Sequence, residues 1–243
     1  MIKEQDNWYA SWFDTPYYHI LYKDRDYEEA GQFMHNLTSF LKLPKGASIL
    51  DLACGKGRHS RHLHSLGYKV TGADLSKSSI QYAKQFETDG LEFVVHDMCT
   101  PIHKRFDAVF NLFTSFGYFE HEIDNLRTIR AIKSELNPNG YGVIDFLNVT
   151  QVANNLVASE MKTVDGIDFY IERKIEERYI IKTIRFTDGE SYEYQEKVKA
   201  LTLDDFKSFF EKAGVALKHC FGNYALSSFD EDTSERLILI FTL

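Results

Sequence analysis

Gly55 and Gly57 stand between an apolar run at 48–53 and a helical stretch that opens at Arg58. A strand that enters a helix through two glycines offers a ligand bare backbone N–H groups that a side chain would otherwise cover. Asp74 follows Gly55 by nineteen residues, at the end of the next apolar run, about where a carboxylate meets the ribose hydroxyls of a nucleotide. This spacing suits NAD and other adenosyl ligands alike, and the G-x-G alone also fits a tight turn with no ligand. Two residues tell against a dinucleotide. Ser60 takes the place of the third small residue, Gly or Ala, and Asp51 sets a carboxylate just before the turn, where a pyrophosphate is disfavoured and a cation is favoured.

Other chemistry-bearing residues are less ordered. His19 and His121 are candidates for a general base on a substrate hydroxyl or ammonium. His59 and His62 share a helical face that His64 does not, and no thiol or carboxylate completes a ligand set, so no metal site is expected. Trp8, Tyr9, Trp12, Phe13, Tyr17, Tyr18 and Tyr22 crowd the first 22 residues, either as rings packed on the core or as a lid whose faces attract a cation. Arg25 or Arg58 could pair with a ligand carboxylate.

These residues need a scaffold. Apolar residues at spacings of three and four predict a helix before residue 47, ended by Leu43-Pro44-Lys45-Gly46. Runs at 48–53, 68–73, 91–96, 106–112 and 141–147 read as strands. The stretches between them at 58–66, 76–86 and 121–136 read as helices, the last closed by Asn137-Pro138-Asn139-Gly140. Such alternation implies a parallel sheet with helices on both faces. A helix is expected at 148–159, then three antiparallel strands at 169–177, 179–187 and 191–200, the last pair joined through Asp188-Gly189. Thr202 with Asp205 opens a helix that Gly214 closes, and strands at 215–221 and 236–243 end the chain.

Composition narrows the function. The 243 residues, 44% apolar and 26% charged, suit one globular domain that needs no disulfide or metal staple. A net charge of −8 argues against nucleic acid. No apolar run approaches the ~20 residues of a membrane span. Three cysteines without a C-x-x-C pair, and a first stretch unlike a secretory signal, predict reduced thiols and a cytoplasmic protein.

The segment Ile49-Leu50-Asp51-Leu52-Ala53-Cys54-Gly55-Lys56-Gly57-Arg58-His59-Ser60, with Asp74-Leu75-Ser76 and His96-Asp97-Met98, resembles the class I S-adenosylmethionine-dependent methyltransferases over residues 47–147. The resemblance implies that Gly55 and Gly57 lie under the methionine part of the cofactor, that Asp74 binds the ribose, and that Asp97 and Met98 flank the adenine. It also implies that Asn111 and Leu112 stand beside the transferable methyl. Asp51, Ala53, Arg58, Leu75 and Tyr18 join the expected cofactor contacts, and Phe116 and Tyr118 the expected substrate contacts. Asn111 to Phe119 and Tyr17 to Tyr22 look like the small-molecule branch, including amino-sugar N-methyltransferases, which carry an aromatic lid and an antiparallel insertion. Leu112 and Phe113 replace the prolines of the Asn-Pro-Pro-aromatic motif found in enzymes that methylate exocyclic amines of nucleic-acid bases.

The expected architecture is therefore a Rossmann-like α/β fold in one domain. It comprises an N-terminal helical lid (1–46), a cofactor-binding core (47–159), an antiparallel insertion (160–200) and a return to the core sheet (201–243). The resemblance makes that sheet seven-stranded with an antiparallel last strand. The expected activity is methyl transfer from S-adenosylmethionine to an amine or hydroxyl of a small molecule, without metal, nucleic acid or membrane. The alternatives are an NAD-dependent oxidoreductase and a non-catalytic S-adenosylmethionine-binding protein. Oligomeric state is not legible.

Overall fold

The computed structural model describes residues 12–23 and 27–243; Trp8, Tyr9 and Arg25 lie outside them. Five parallel strands form the centre: β1 (Ser48–Leu52), β2 (Lys69–Asp74), β3 (Leu91–Val95), β4 (Phe106–Asn111) and β5 (Leu136–Leu147). Two further strands, β10 (Ala216–Phe221) and β11 (Arg236–Thr242), complete a seven-stranded sheet in the order β10-β11-β5-β4-β1-β2-β3, with β11 antiparallel to both neighbours. The expected seven-stranded sheet is the one found.

The strand order fixes where a ligand goes. From β1 the chain steps outward to β2 and β3 and then returns to place β4 on the other side of β1. The loops after β1 and β4 thus diverge and leave a crevice at the carboxyl ends of the strands, the usual ligand position in open α/β sheets. Helices α2 (Tyr27–Phe40), α3 (Arg58–Ser65) and α4 (Lys77–Ala83) share an apolar cluster on one face, built around Phe33, Ile49, Leu63, Phe93 and Phe110. On the other face α5 (Glu122–Glu135) and α7 (Leu203–Ala213) enclose Phe116, Phe146, Phe206 and Phe241. The Thr202–Asp205 capping box and the left-handed Gly214 bound α7 as the sequence implies.

Two expectations need correction. The helix expected at 148–159 is the short α6 (Val149–Asn154), after which β6 (Ser159–Val164) begins. The insertion therefore has four strands, β6 with β7 (Ile167–Glu176), β8 (Tyr179–Asp188) and β9 (Glu190–Lys199), in one antiparallel sheet. The Asn137–Gly140 stretch is not a turn outside the sheet: β5 starts at Leu136, paired with Phe106, and a register shift absorbs the extra residues before Tyr141 pairs with Ala108.

The N-terminal helix α1 (Pro16–Leu21) packs on the insertion rather than on the central sheet. Trp12 and Leu21 are buried with Val164, Phe169, Ile171, Ile184 and Phe186 in a third apolar cluster. Asp14 reaches the other way and accepts hydrogen bonds from the Ser76 and Ser78 hydroxyls at the start of α4. The N-terminal helix and the insertion thus share one apolar cluster, and the segment before the helix also reaches the start of α4.

Candidate active site

The chain leaves β1 through Ala53 (φ 65°), Gly55 (φ 55°) and Gly57 (φ 76°), all left-handed, and enters α3. The two glycines are needed for different reasons. A Cβ on Gly57 would overlap the Phe93 ring, so this glycine serves packing between α3 and the sheet. A Cβ on Gly55 would meet nothing within 4 Å and would project into open space. That open space is a cavity of about 470 Å³, within the range of small-molecule and cofactor sites.

Asp74 supports the turn from the end of β2. Its Oδ2 accepts from the Gly55 N–H at 2.8 Å and its Oδ1 from the Ser76 N–H at 2.8 Å. Burial raises its pKa, opposed by these two bonds. An ionised carboxylate has roughly four lone-pair positions, so both oxygens keep acceptor capacity toward the cavity they line. Asp51 lies beneath, buried, with the Ser60 hydroxyl donating to its Oδ2 at 2.6 Å. Its pKa is pushed up to about 6 by burial first, against the Ser60 bond and with the Asp74 charge. Ser60 stands where a dinucleotide fingerprint carries a small residue because it serves this carboxylate.

Of the expected cofactor contacts, Tyr18, Ala53, Gly55, Arg58, Asp74 and Leu75 line this one cavity, and so do Asp97, Met98 and Leu112. Tyr118 and His19 line it as well. Asp51, Gly57 and Asn111 do not; Asn111 is buried below, its amide donating to the Leu52 carbonyl. Phe116, expected at the substrate, is fully buried against Phe206 at 5.4 Å between ring centres and belongs to the core. His121 is exposed at the start of α5, away from the cavity. A loop position alone does not say which way either side chain faces.

The sequence reading missed several wall residues. Phe113 and Thr114, consecutive and both left-handed (φ 58° and 59°), form the turn after β4, and the Phe113 ring stacks on His59 at 4.3 Å. Glu196 enters from β9 and accepts from Trp12 Nε1 at 2.8 Å and from the Tyr22 hydroxyl at 2.7 Å, with Lys182 Nζ 3.7 Å away. Phe13, Tyr18, Tyr22 and Tyr118 complete an aromatic wall, with ring centres 4.9 to 5.4 Å apart. A signal for Glu196 existed: Tyr192, Tyr194 and Glu196 alternate on one face of a strand. Among the described residues no group of three or more His, Cys, Asp or Glu could hold a metal ion, and no helix is long and apolar enough to cross a membrane.

The cavity lining fits S-adenosylmethionine: glycine backbone, an acid with spare acceptor capacity where the resemblance expects the ribose, and Asp97 with Met98 where it expects the adenine. Comparison with known proteins agrees. Residues 49–140 match the family model for a methyltransferase domain. The putative methyltransferase YqeM of Bacillus subtilis (strain 168) is 27% identical over 187 residues, 72% of this chain and 76% of that protein. A dTDP-3-amino-3,6-dideoxy-alpha-D-glucopyranose N,N-dimethyltransferase of Streptomyces fradiae is 32% identical over 105 residues, but these span only 42% of this chain and 40% of that enzyme. In fold, the crystal structure of an S-adenosylmethionine-dependent methyltransferase from Clostridium acetobutylicum ATCC 824 superposes with a TM-score of 0.79 at 20% identity, covering 98% of both chains. The matched segment carries β1 to β4 and with them Gly55, Asp74 and Asp97, so the chain resembles the S-adenosylmethionine-dependent methyltransferases in its matched domain and in its fold.

Proposed function

We propose that this enzyme methylates an amine or hydroxyl of a small molecule held between the lid, the turn after β4 and the insertion. The observation that carries the reading is the second half of the cavity. Beyond the glycine turn it is walled by Phe13, Tyr18, Tyr22, Tyr118 and Glu196, contributed by lid, core and insertion together. That enclosure is sized for a metabolite rather than for a folded polymer. The Streptomyces fradiae relative, named for methylating an amino sugar, supports an acceptor of this kind.

Each group has a task. Gly55 lets the cofactor lie against the backbone, Asp74 offers acceptors to its ribose diol, and Asp97 and Met98 stand where the resemblance places its adenine. When bound, the cofactor would supply an activated methyl on a sulfonium: the acceptor's lone pair would form the new bond to the methyl carbon in line as the carbon–sulfur bond breaks, with S-adenosylhomocysteine leaving as the thioether. Alignment and exclusion of water then provide most of the catalysis. The aromatic wall does both, and its ring faces favour positive charge. A proton leaving the acceptor can pass to the carboxylate of Glu196 or the imidazole of His19, both in the wall.

The test is a coupled assay for S-adenosylhomocysteine release across a panel of amino sugars, small amines and hydroxylated metabolites. Turnover on a member of the panel is expected. Binding of S-adenosylhomocysteine without turnover on any member would support the non-catalytic alternative instead.

A further inference from the structure

Phe113 and Thr114 adopt two successive left-handed conformations (φ 58° and 59°) that L-residues other than glycine rarely take. Such a pair persists only where its surroundings hold it. The holder is an ion pair between buried Asp145 and half-buried Arg236. Asp145 on β5, fully buried, accepts from the Phe113 N–H at 2.7 Å through Oδ2, and its main-chain carbonyl accepts from the Thr114 N–H at 3.0 Å. Arg236 at the start of β11 donates through Nε to Asp145 Oδ1 at 2.9 Å and through Nη2 to Thr114 Oγ1 at 2.9 Å. The Tyr224 hydroxyl adds a 3.4 Å contact to Asp145 Oδ2.

This arrangement uses strand pairing to shape the cavity. β11 is antiparallel to β5 in a register that sets Arg236 opposite Leu147 and Ile238 opposite Asp145, so the guanidinium must reach along the sheet to the carboxylate. Its planar fork can hold both Asp145 and the Thr114 hydroxyl, which a lysine ammonium cannot do in the same geometry. Asp145 and Arg236 do not themselves line the cavity, whereas Phe113, Thr114 and Ser115 do. Phe113 also carries the arrangement to α3 through its stack on His59.

We propose that Arg236 is a positioning residue of this methyltransferase site: with Asp145 it locks the Phe113-Thr114 turn in the paired left-handed form that lines the cofactor cavity. The proposal rests on the methyltransferase reading of the cavity and not on any particular acceptor. Its test needs no acceptor, so an empty acceptor screen leaves it standing or falling on its own result.

The experiment is calorimetric titration with S-adenosylhomocysteine of the wild type, Arg236→Met and the double variant Arg236→Met with Thr114→Gly. Glycine takes the left-handed conformation without penalty, so it should restore the turn after its clamp is gone. The expected result is binding weaker by about tenfold or more in Arg236→Met, as misplaced site geometry commonly costs, with most of the loss recovered in the double variant. Relief of left-handed strain at residue 114 would also raise general stability, so affinities are compared at a temperature where thermal unfolding shows every variant to be folded. Binding by Arg236→Met within about twofold of wild type, or a double variant no tighter than the single one, would overturn the proposal. Should Arg236→Met not unfold cooperatively, Arg236→Lys, which keeps a cation beside Asp145 but lacks the fork, is judged with and without Thr114→Gly by the same two criteria.

Discussion

Asp74 has two tasks that a substitution separates. It fixes the glycine turn through the Gly55 and Ser76 N–H groups and faces the cavity. Asp74→Ala should weaken S-adenosylhomocysteine binding by ~1.5–3 kcal/mol, the usual loss for hydrogen bonds to a charged group. Calorimetry reads the affinity and thermal unfolding reads the turn; unchanged affinity in a folded variant would remove Asp74 from the ribose contact. Asp51 makes a different prediction. Its carboxyl titrates near pH 6 in the fold against ~3.9 in an unfolded chain. The folded state thus binds the extra proton between those values, and the stability this confers is complete below about pH 4 and lost as pH rises through about 6. Asp51→Asn keeps an acceptor for Ser60 without the buried charge. It should raise the melting temperature at pH 7, with an advantage that shrinks steadily toward pH 4; a constant difference at all pH values would contradict the assignment. Gly55 and Asp74 were legible as cavity-lining residues because a strand end followed by a helix fixes where such residues point, whereas Asp97, in the loop between β3 and β4, was legible only through the resemblance. Phe116 and His121 were not, since a loop position carries no facing. Arg236 and Asp145 are 91 residues apart, and only the acid inside the apolar run Val143-Ile144-Asp145-Phe146 hinted that a partner was required.

The central strands and their helices were readable from alternating periodicity, whereas β6 was not. Its residues Ser159 to Thr163 are exposed and only Val164 is buried, so this edge strand shows no apolar alternation, and the chain before it mimics the helical spacing that the real α6 keeps only to Asn154. Both sequence readings of the N-terminal rings hold part of the structure: Trp12 is a core ring, but of the insertion, while Phe13 and Tyr18 face the cavity. Removing residues 1–22 should therefore spare the seven-stranded sheet and unsettle the insertion. Trp12→Ala isolates the effect. It empties a buried site against Tyr194, whose ring centre is 4.5 Å away, and leaves Glu196 without the indole donor, at a cost of ~3–5 kcal/mol. Hydrogen exchange should show faster exchange in β7 to β9 with the central strands protected. Uniform loss of protection over the whole chain would show that lid and insertion are not a separate cooperative unit.

At the scale of the whole molecule, function follows from strand order. The return from β3 to β4 opens a crevice at the β1 and β4 ends, the glycine turn and the strained Phe113-Thr114 turn both line it, and the N-terminal helix and the insertion add Tyr18 and Glu196 to the same lining. The central claim is that this crevice is where S-adenosylmethionine binds, with Gly55 as its bare floor. The most direct measurement is the thermal shift given by S-adenosylhomocysteine in the wild type and in Gly55→Val. Valine there costs the fold ~1–2 kcal/mol for a left-handed residue, so the variant should melt cooperatively at a lower temperature. Its side chain would occupy the space where a Cβ meets no protein atom within 4 Å. The account predicts a clear ligand-induced rise in melting temperature for the wild type and none for Gly55→Val. An equal rise in both proteins would show that the ligand binds elsewhere and that the glycine turn is only a turn.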